Sequence, residues 1–344
     1  MKMKQENLTR AIYGFNSKHE PLAGKSYPQM ARTVKSWGAN AVFVKDEPAE
    51  LIHALHREGL KCYREIGIFQ GCRYWEKHPE TRPVQSDGTS LEREEWYCGL
   101  SPTVDWLRQE KLEEIRKIIS TTEVDGIWLD FIRYPVHWES PSPNLPKTDF
   151  SEGSLKKFSA DTGIALPWEQ STAERAEMIL SRHGEAWHRW RAGQITEFVR
   201  RAAEVAKKEN PEILVGLFAV PWFQGERDEA IDKIAGQDFP ALAEHVDVFS
   251  PMVYHRMCGE PVEWIGRCSV KMSQSTGKPV WPIIQACNVP DRLSEDEFTG
   301  SLVEAELQPS QGVIVFALNH LVKEKRLESL RRAWRQFEGT SSDR

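Results

Sequence analysis

The sequence predicts a (β/α)8 barrel, an α/β fold in which parallel strands are ringed by helices. Three observations predict it. Eight short runs rich in β-branched and aromatic residues alternate with stretches of helical periodicity along the 344 residues. The last four runs begin at residues 214, 246, 279 and 312, the spacing of one strand–helix unit. No G-x-G-x-x-G follows any run, so the competing doubly wound sheet lacks its dinucleotide loop.

In chain order the strands are expected at Ala11–Asn16, Asn40–Lys45, Lys61–Phe69, Gly126–Ile132, Leu214–Val220, Val246–Tyr254, Pro279–Ala286 and Gly312–Asn319. Each is a nearly continuous apolar run, as a parallel strand covered on both faces requires. A helix over Pro102–Ser120 carries apolar residues at Val104, Leu107, Leu112, Ile115, Ile118 and Ile119, with Ser101 as its N-cap and Pro102 at the first helical position. A long amphipathic helix is expected over Ala186–Glu209. Ser294–Glu306 opens with Ser294 and Glu297 in capping-box spacing, and Leu321–Phe337 closes the chain. Two gaps are too long to be turns. Cys72–Gly99 follows the third strand; Pro135–Gly184 follows the fourth and holds Pro141, Pro143 and Pro146 before Phe150–Asp161. Both leave the C-terminal ends of strands, the face on which barrel enzymes build their sites, and are expected to form or cover a pocket. The chain reads as a single catalytic barrel over residues 1–338, with insertions at about 72–99 and 135–184 and a flexible tail at 339–344.

Composition narrows the function. A hydrophobic fraction of 40% with 28% charged residues excludes a disordered chain. The net charge of −6, without a basic block, argues against nucleic acid or an anionic membrane as partner, and no apolar run has the length of a membrane span. Met1–Arg10 has basic residues but no apolar stretch behind them, so the expectation is a cytoplasmic protein, or a secreted one if a leader has been trimmed. The six cysteines, at 62, 72, 98, 258, 268 and 287, form no C-x-x-C pair and are expected to be free thiols. The 13 Trp suit either core packing or flat platforms for a ring-shaped ligand such as a sugar.

The strand ends carry Asn16, Asp46, Glu65, Asp130, Arg133, Trp222, Tyr254, His255, Gln285, Asn288, Asn319 and His320. The histidines are scattered and the loops after the last two strands are not Gly-rich. No metal and no cofactor are therefore expected, nor a phosphate site. Side-chain amides, Tyr, Arg and Trp around a carboxylate suit a neutral polyhydroxylated ligand, hence a carbohydrate partner. The sharpest segment is VDGIWLDFIRYP, residues 124–135, in which an apolar strand delivers Asp130 at its end. Aspartate is disfavoured in strands and costly to bury unpaired. It is read either as a catalytic carboxylate or as half of an ion pair with Arg133 that only pins the loop. Asp125, before the strand, reads as a turn or cap residue.

The run CGLSPTVDWLRQEKLEEIRKII, the strand VDGIWLDFIRYP, the helix WHRWRAGQITEFV and the strand DVFSPMVYH together resemble the glycoside-hydrolase-like barrel families related to the α-amylase and chitinase clans. The resemblance implies a (β/α)8 fold with Asp130 as a catalytic carboxylate. It departs from the chitinase pattern D-G-x-D-x-D-x-E, because Trp128 and Ile132 stand where that group has its second Asp and its Glu. Tyr254 matches the Tyr that orients a substrate acetamido group there. The simpler carry-over is Asp130 as nucleophile, as in the amylase clan. Hydrolysis then needs a second carboxyl group as general acid/base. Glu226, past the fifth strand, and Glu65, on the third, are the candidates, with Glu260 a third. Arg133 would keep Asp130 ionised. Tyr254 and His255 would donate to substrate, Gln285, Asn288, Asn319, Asn16 and Asp46 would bind hydroxyls, and Trp222 and Trp128 would stack on a ring, unless Trp128 faces the helix layer. The function expected is glycoside hydrolysis. A carbohydrate-binding barrel without catalysis is the alternative, and a lyase or isomerase on a sugar acid comes last.

Overall fold

A computed structural model describes residues 8–94 and 96–339. Eight strands form one parallel sheet: β1 (Thr9–Phe15), β2 (Ala41–Val44), β3 (Lys61–Gly67), β4 (Gly126–Asp130), β5 (Leu214–Ala219), β6 (Val248–Pro251), β7 (Ile283–Gln285) and β8 (Gly312–Phe316). The spatial order β6-β5-β4-β3-β2-β1-β8-β7 is the sequential order of a barrel cut between β6 and β7. That seam is joined by single parallel bridges, Phe249 with Val280 and Met252 with Ile283. The expected strands over Val246–Tyr254 and Pro279–Ala286 are shortened here for a chemical reason. Pro251, Pro279 and Pro282 have no N–H to donate, so the ladder thins at the seam. With the seam bridged, the fold is the expected (β/α)8 barrel.

The helices follow the expected pattern with three differences. The helix after β3 starts at Asp105, with Val104 at the cap, rather than at Pro102. Ser101 is diverted to the Asp149 carboxylate and to Thr103. The closing helix is two helices, Leu318–Lys323 and Leu327–Gly339, parted where Lys325 takes a left-handed φ of 56°. A further helix, Thr172–Arg182, was not anticipated. The long helix runs Gly184–Glu209, and Ser294 with Glu297 forms the expected capping box. No helix among the described residues is long and apolar enough to cross a membrane. The tail expected at 339–344 lies, beyond Gly339, outside the described residues.

Pleat alternation turns large rings into the barrel. Trp128 stacks on Trp281 with centroids 5.2 Å apart, meets Tyr63 at 4.8 Å and Phe43 at 5.2 Å, and donates its Nε1–H to Ser250 Oγ at 3.0 Å. Trp128 is therefore barrel core, not a sugar platform. Glycine at 216 is what admits it: a Cβ there would lie 2.1 Å from Trp128 Cε2. Above this floor Tyr13 meets Phe316 at 5.2 Å, Phe43 at 5.7 Å and Phe218 at 6.0 Å. Each buried ring of this size contributes roughly 3 kcal/mol of apolar burial.

The excursion after β4 has its own small core, Phe150, Leu155, Phe158, Ile179, Trp187 and Trp190. One buried carboxylate ties it to the excursion after β3. Asp149 accepts the N–H of Val84 (2.9 Å) and of Ser151 (3.0 Å) and the hydroxyls of Ser101 and Ser154. Charge-assisted bonds of this kind hold the two loops as one body over the barrel mouth. The loop after β3 is also closed at its neck by a disulfide between Cys72 and Cys98, beside a backbone bond from Gly71 N–H to Cys98 O of 2.9 Å. This corrects the expectation of six free thiols. Spacing gave no motif because the two cysteines are 26 residues apart and meet only when the loop folds back. Cys62, Cys258, Cys268 and Cys287 are free and buried.

Candidate active site

Asp130 is the last residue of β4, two positions above Trp128, so the same alternation that sends Trp128 into the floor sends Asp130 to the mouth. It is partly exposed to solvent there. Its Oδ1 accepts the N–H of Phe131 at 2.7 Å, and Oδ2 accepts no hydrogen bond from the described residues. Phe131 has a φ of 52°, a left-handed turn that a bulky residue adopts only when its surroundings force it. This sharp exit from β4 brings Arg133 back beneath the strand end. Arg133 is buried, with its guanidinium 5.0 Å from the Phe131 ring and 5.9 Å from the Tyr97 ring. Its Nε and Nη1 have no hydrogen-bond partner among the described residues. It does not form the expected direct ion pair with Asp130 but acts on it through space, drawing its pKa down.

Glu65 stands on β3, two positions above Tyr63, and pairs in register with Trp128 while Gly67 pairs with Asp130. The two carboxylates thus come from adjacent strands, one pleat apart in height. The Tyr13 phenol lies beside Glu65 and favours its ionised form. Burial pushes its carboxyl up to about 7, the charge of Asp130 adds to the rise, and Lys45, Arg64 and Tyr13 oppose it. Asp130 is pushed up to about 6, by burial first, with Arg133 and the Phe131 N–H opposing and Glu139 adding.

Glu139 is the functional candidate that sequence reasoning missed. It lies in the excursion after β4, and only 15% of its side chain is exposed. Burial raises its pKa, Arg133 lowers it, and its Oε2 is 3.7 Å from His137 Nε2 with no hydrogen-bond partner among the described residues. Its one sequence signal was position, an acid beside a tryptophan in a long loop leaving the active face. Tyr254 completes the group. It stacks on Trp138 (5.4 Å) and meets Phe316 (5.4 Å). Burial raises its pKa well above the ordinary value, and Asp130, Glu139 and Tyr13 add to that. It is a neutral phenol facing carboxylates.

The other expected residues sit elsewhere or are committed elsewhere. Glu226 accepts the N–H of Phe223 at 3.0 Å and pairs with Lys271, which pins a turn rather than meeting Asp130. Trp222 is buried, with the Arg227 guanidinium 5.4 Å above its ring, so it offers no face to a sugar. Gln285 spends its amide on the carbonyls of Cys287 and Val289 and on the N–H of Met257. Asn288 is bound to Glu324, Leu293 N–H and Arg326. These two amides hold the loop after β7 instead of waiting for hydroxyls. His255 is buried with both ring nitrogens unpartnered. Asn16 accepts the N–H of Lys18 at 2.9 Å, Asp46 is exposed and pairs with Arg64 at 2.9 Å, and Asn319 is exposed on the helix after β8. Glu260 follows the short helix His255–Cys258 and donates its N–H to His255 O. Asp125 is not a simple turn residue: at the opposite end of the barrel it takes hydrogen bonds from His56, Lys61 and Cys62 N–H.

Fold and site together define a closed (β/α)8 barrel with an acidic, aromatic-walled mouth at the C-terminal ends of its strands. The chain belongs to the family described as "putative glycosyl hydrolase domain", whose model matches residues 23–273. Among curated proteins no sequence matches it. Solved structures share its fold at low identity. The PgaB (BpsB) glycoside hydrolase domain from Bordetella bronchiseptica has a TM-score of 0.69 at 14% identity, over 95% of this chain and 99% of that one. A β-galactosidase from the Antarctic haloarchaeon Halorubrum lacusprofundi has a TM-score of 0.66 at 11% identity, over 97% of this chain and 58% of that one. A β-galactosidase from the psychrophilic Marinomonas ef1 has a TM-score of 0.63 at 12% identity, over 91% of this chain and 54% of that one. The chain thus spans somewhat more than half the length of those two β-galactosidases.

Proposed function

We propose that the protein hydrolyses a glycosidic bond, with Asp130 as nucleophile and Glu65 as general acid/base. The observation that carries this reading is the meeting of two carboxylates from adjacent strands at one barrel mouth, with different neighbours. Asp130 has a buried guanidinium beside it, which favours its ionised form. Glu65 has the higher pKa and holds its proton near neutrality. In the first step Asp130 attacks the anomeric carbon while Glu65 gives its proton to the departing glycosidic oxygen. In the second, Glu65 takes a proton from water, whose oxygen attacks the anomeric carbon and frees Asp130. Tyr254 donates a hydrogen bond to substrate, and Arg133 offsets charge in the pocket without touching Asp130.

The test is a panel of chromogenic glycosides. Asp130→Asn is expected to lower turnover by at least a thousandfold with little change in thermal stability, and Glu226→Gln to leave turnover within a few-fold of the parent. Parental turnover in Asp130→Asn would end this reading. A thousandfold loss in Glu226→Gln would move the acid from β3 to the loop after β5.

A further inference from the structure

We propose that Trp96 is a sugar-stacking platform beside the carboxylates, positioned by the Cys72–Cys98 disulfide, and that the substrate is consequently a chain of several sugar residues rather than a single glycoside. This rests on the glycosidase reading and extends it to substrate class. Most tryptophans here are buried: Trp128, Trp138, Trp187, Trp222, Trp281 and Trp334 all lie in packed interior. Trp96 is 55% exposed, the most exposed large apolar residue among those described. A large ring left in water at the rim of a site is where a ligand with an apolar face is received.

Its placement is specific. The Trp96 ring lies 6.2 Å from Phe131, the residue after Asp130, and 6.2 Å from His137. The interplanar angles are 65° and 81°, so neither ring covers an indole face by stacking. Tyr97 lies at 46° to it, also unstacked, while itself stacking on Phe131 at 24°. His137 pairs with Glu94, two residues before Trp96. The platform is therefore held by three neighbouring rings, none of them stacked on it, and keeps more than half of its surface exposed. The two other exposed tryptophans are engaged: Trp106 donates to Glu80, and Trp168 lies under Arg175.

The disulfide is the positioning element. Cys98 is two residues from Trp96, and the loop returns to the barrel there through the Gly71–Cys98 backbone bond and the Gln70–Gly99 bridge. A free neck would let the indole leave the mouth. A platform set against Phe131, outside the reacting carboxylates, is used by a neighbouring sugar and not by the one being cleaved, so its contribution appears only with chain length.

The test uses the Asp130→Asn protein, which holds ligand without cleaving it, and titration calorimetry with gluco-, galacto- and glucosamine oligosaccharides of one to six residues. Adding Trp96→Ala is expected to weaken binding at least tenfold for chains of three or more, with the loss growing with length, while Trp96→Tyr recovers most of it. Adding Cys72→Ala with Cys98→Ala is expected to reproduce the length-dependent loss. Oligosaccharide binding that is equal with and without Trp96→Ala overturns the platform, and a loss independent of length overturns the chain-substrate assignment. An intact length dependence in the cysteine variant overturns the positioning role. No binding of any sugar by the Asp130→Asn protein, folded by its melting curve, overturns the carbohydrate reading and this inference with it.

Discussion

Removing the Cys72–Cys98 crosslink tests whether the loop over the mouth is built as described. The bond closes a loop with a sequence separation of 26. Loop-closure entropy for that length destabilises the unfolded chain by about 3.5 kcal/mol at 25 °C. For a chain of 344 residues, an unfolding entropy of about 2.1 cal/mol/K per residue turns this into a fall in Tm of roughly 5 °C. The Gly71–Cys98 backbone bond and the Asp149 ties keep the fold, while the stretch that carries Trp96 loses its covalent anchor. Differential scanning calorimetry of oxidised protein, of protein in dithiothreitol, and of the Cys72→Ala, Cys98→Ala double variant measures it three ways. The reduced and double-variant proteins should melt together, below the oxidised one. Alkylation and mass spectrometry should find four reactive thiols in unfolded, unreduced protein and six after reduction. Coincident melts with and without reductant, or six thiols before reduction, would refute the argument. A bond of this kind persists in oxidising compartments.

Two further outcomes follow from the barrel interior. Glu65 has a folded-state pKa raised from 4.5 to about 7, so the folded protein holds a proton that the unfolded chain releases; its stability contribution is complete below about pH 4 and is lost as pH rises toward 7. Glu65→Gln removes that loss, and the variant should gain at most about 3 kcal/mol over the parent between pH 4 and pH 8. A difference in Tm that stays constant across that range would show that Glu65 titrates normally. Gly216→Ala places a Cβ where Trp128 already lies, 2.1 Å from Cε2, and Trp128 is held in turn by Trp281 and Ser250. Overpacking of this sort costs about 1–3 kcal/mol, read as a lower urea midpoint, and Trp128→Phe in the same chain should return part of it. A neutral Gly216→Ala would mean that the floor can shift.

The barrel was legible because its signal is repeated. Eight apolar runs at regular spacing leave few folds to choose from, and the errors fall at the ends. Prolines 251, 279 and 282 look harmless in a hydrophobic run but remove ladder donors, and nothing local shows that Ser101 will be claimed by Asp149. The inward placement of Asp130 and Glu65 was legible for the same periodic reason, since each stands two residues above an inward-facing ring, Trp128 and Tyr63. Trp222, Gln285 and Asn288 also stand near strand ends, but whether an amide waits for substrate or fastens a loop depends on partners 2 to 38 residues away. Glu139 and Trp96 could not be placed, because their positions are set by two long loops whose course depends on Asp149 and on the disulfide.

The two carboxylates share the same burial and differ in the cations beside them. Glu65 is opposed by Lys45, which is exposed, and by Arg64, which is already paired with Asp46. Lys45 faces water and is screened, and Arg64, though largely buried, shares its charge with Asp46. Asp130 is opposed by Arg133, a buried guanidinium with unpartnered N–H groups, whose field acts through rings rather than through solvent. At equal separation such a cation acts several times more strongly. The aromatic floor desolvates both carboxylates from below, so burial alone would raise both together. Asp130 rises from 3.8 to about 6 and Glu65 from 4.5 to about 7, so Glu65 stays the more basic of the two and carries the proton, while Arg133 favours the ionised form of Asp130.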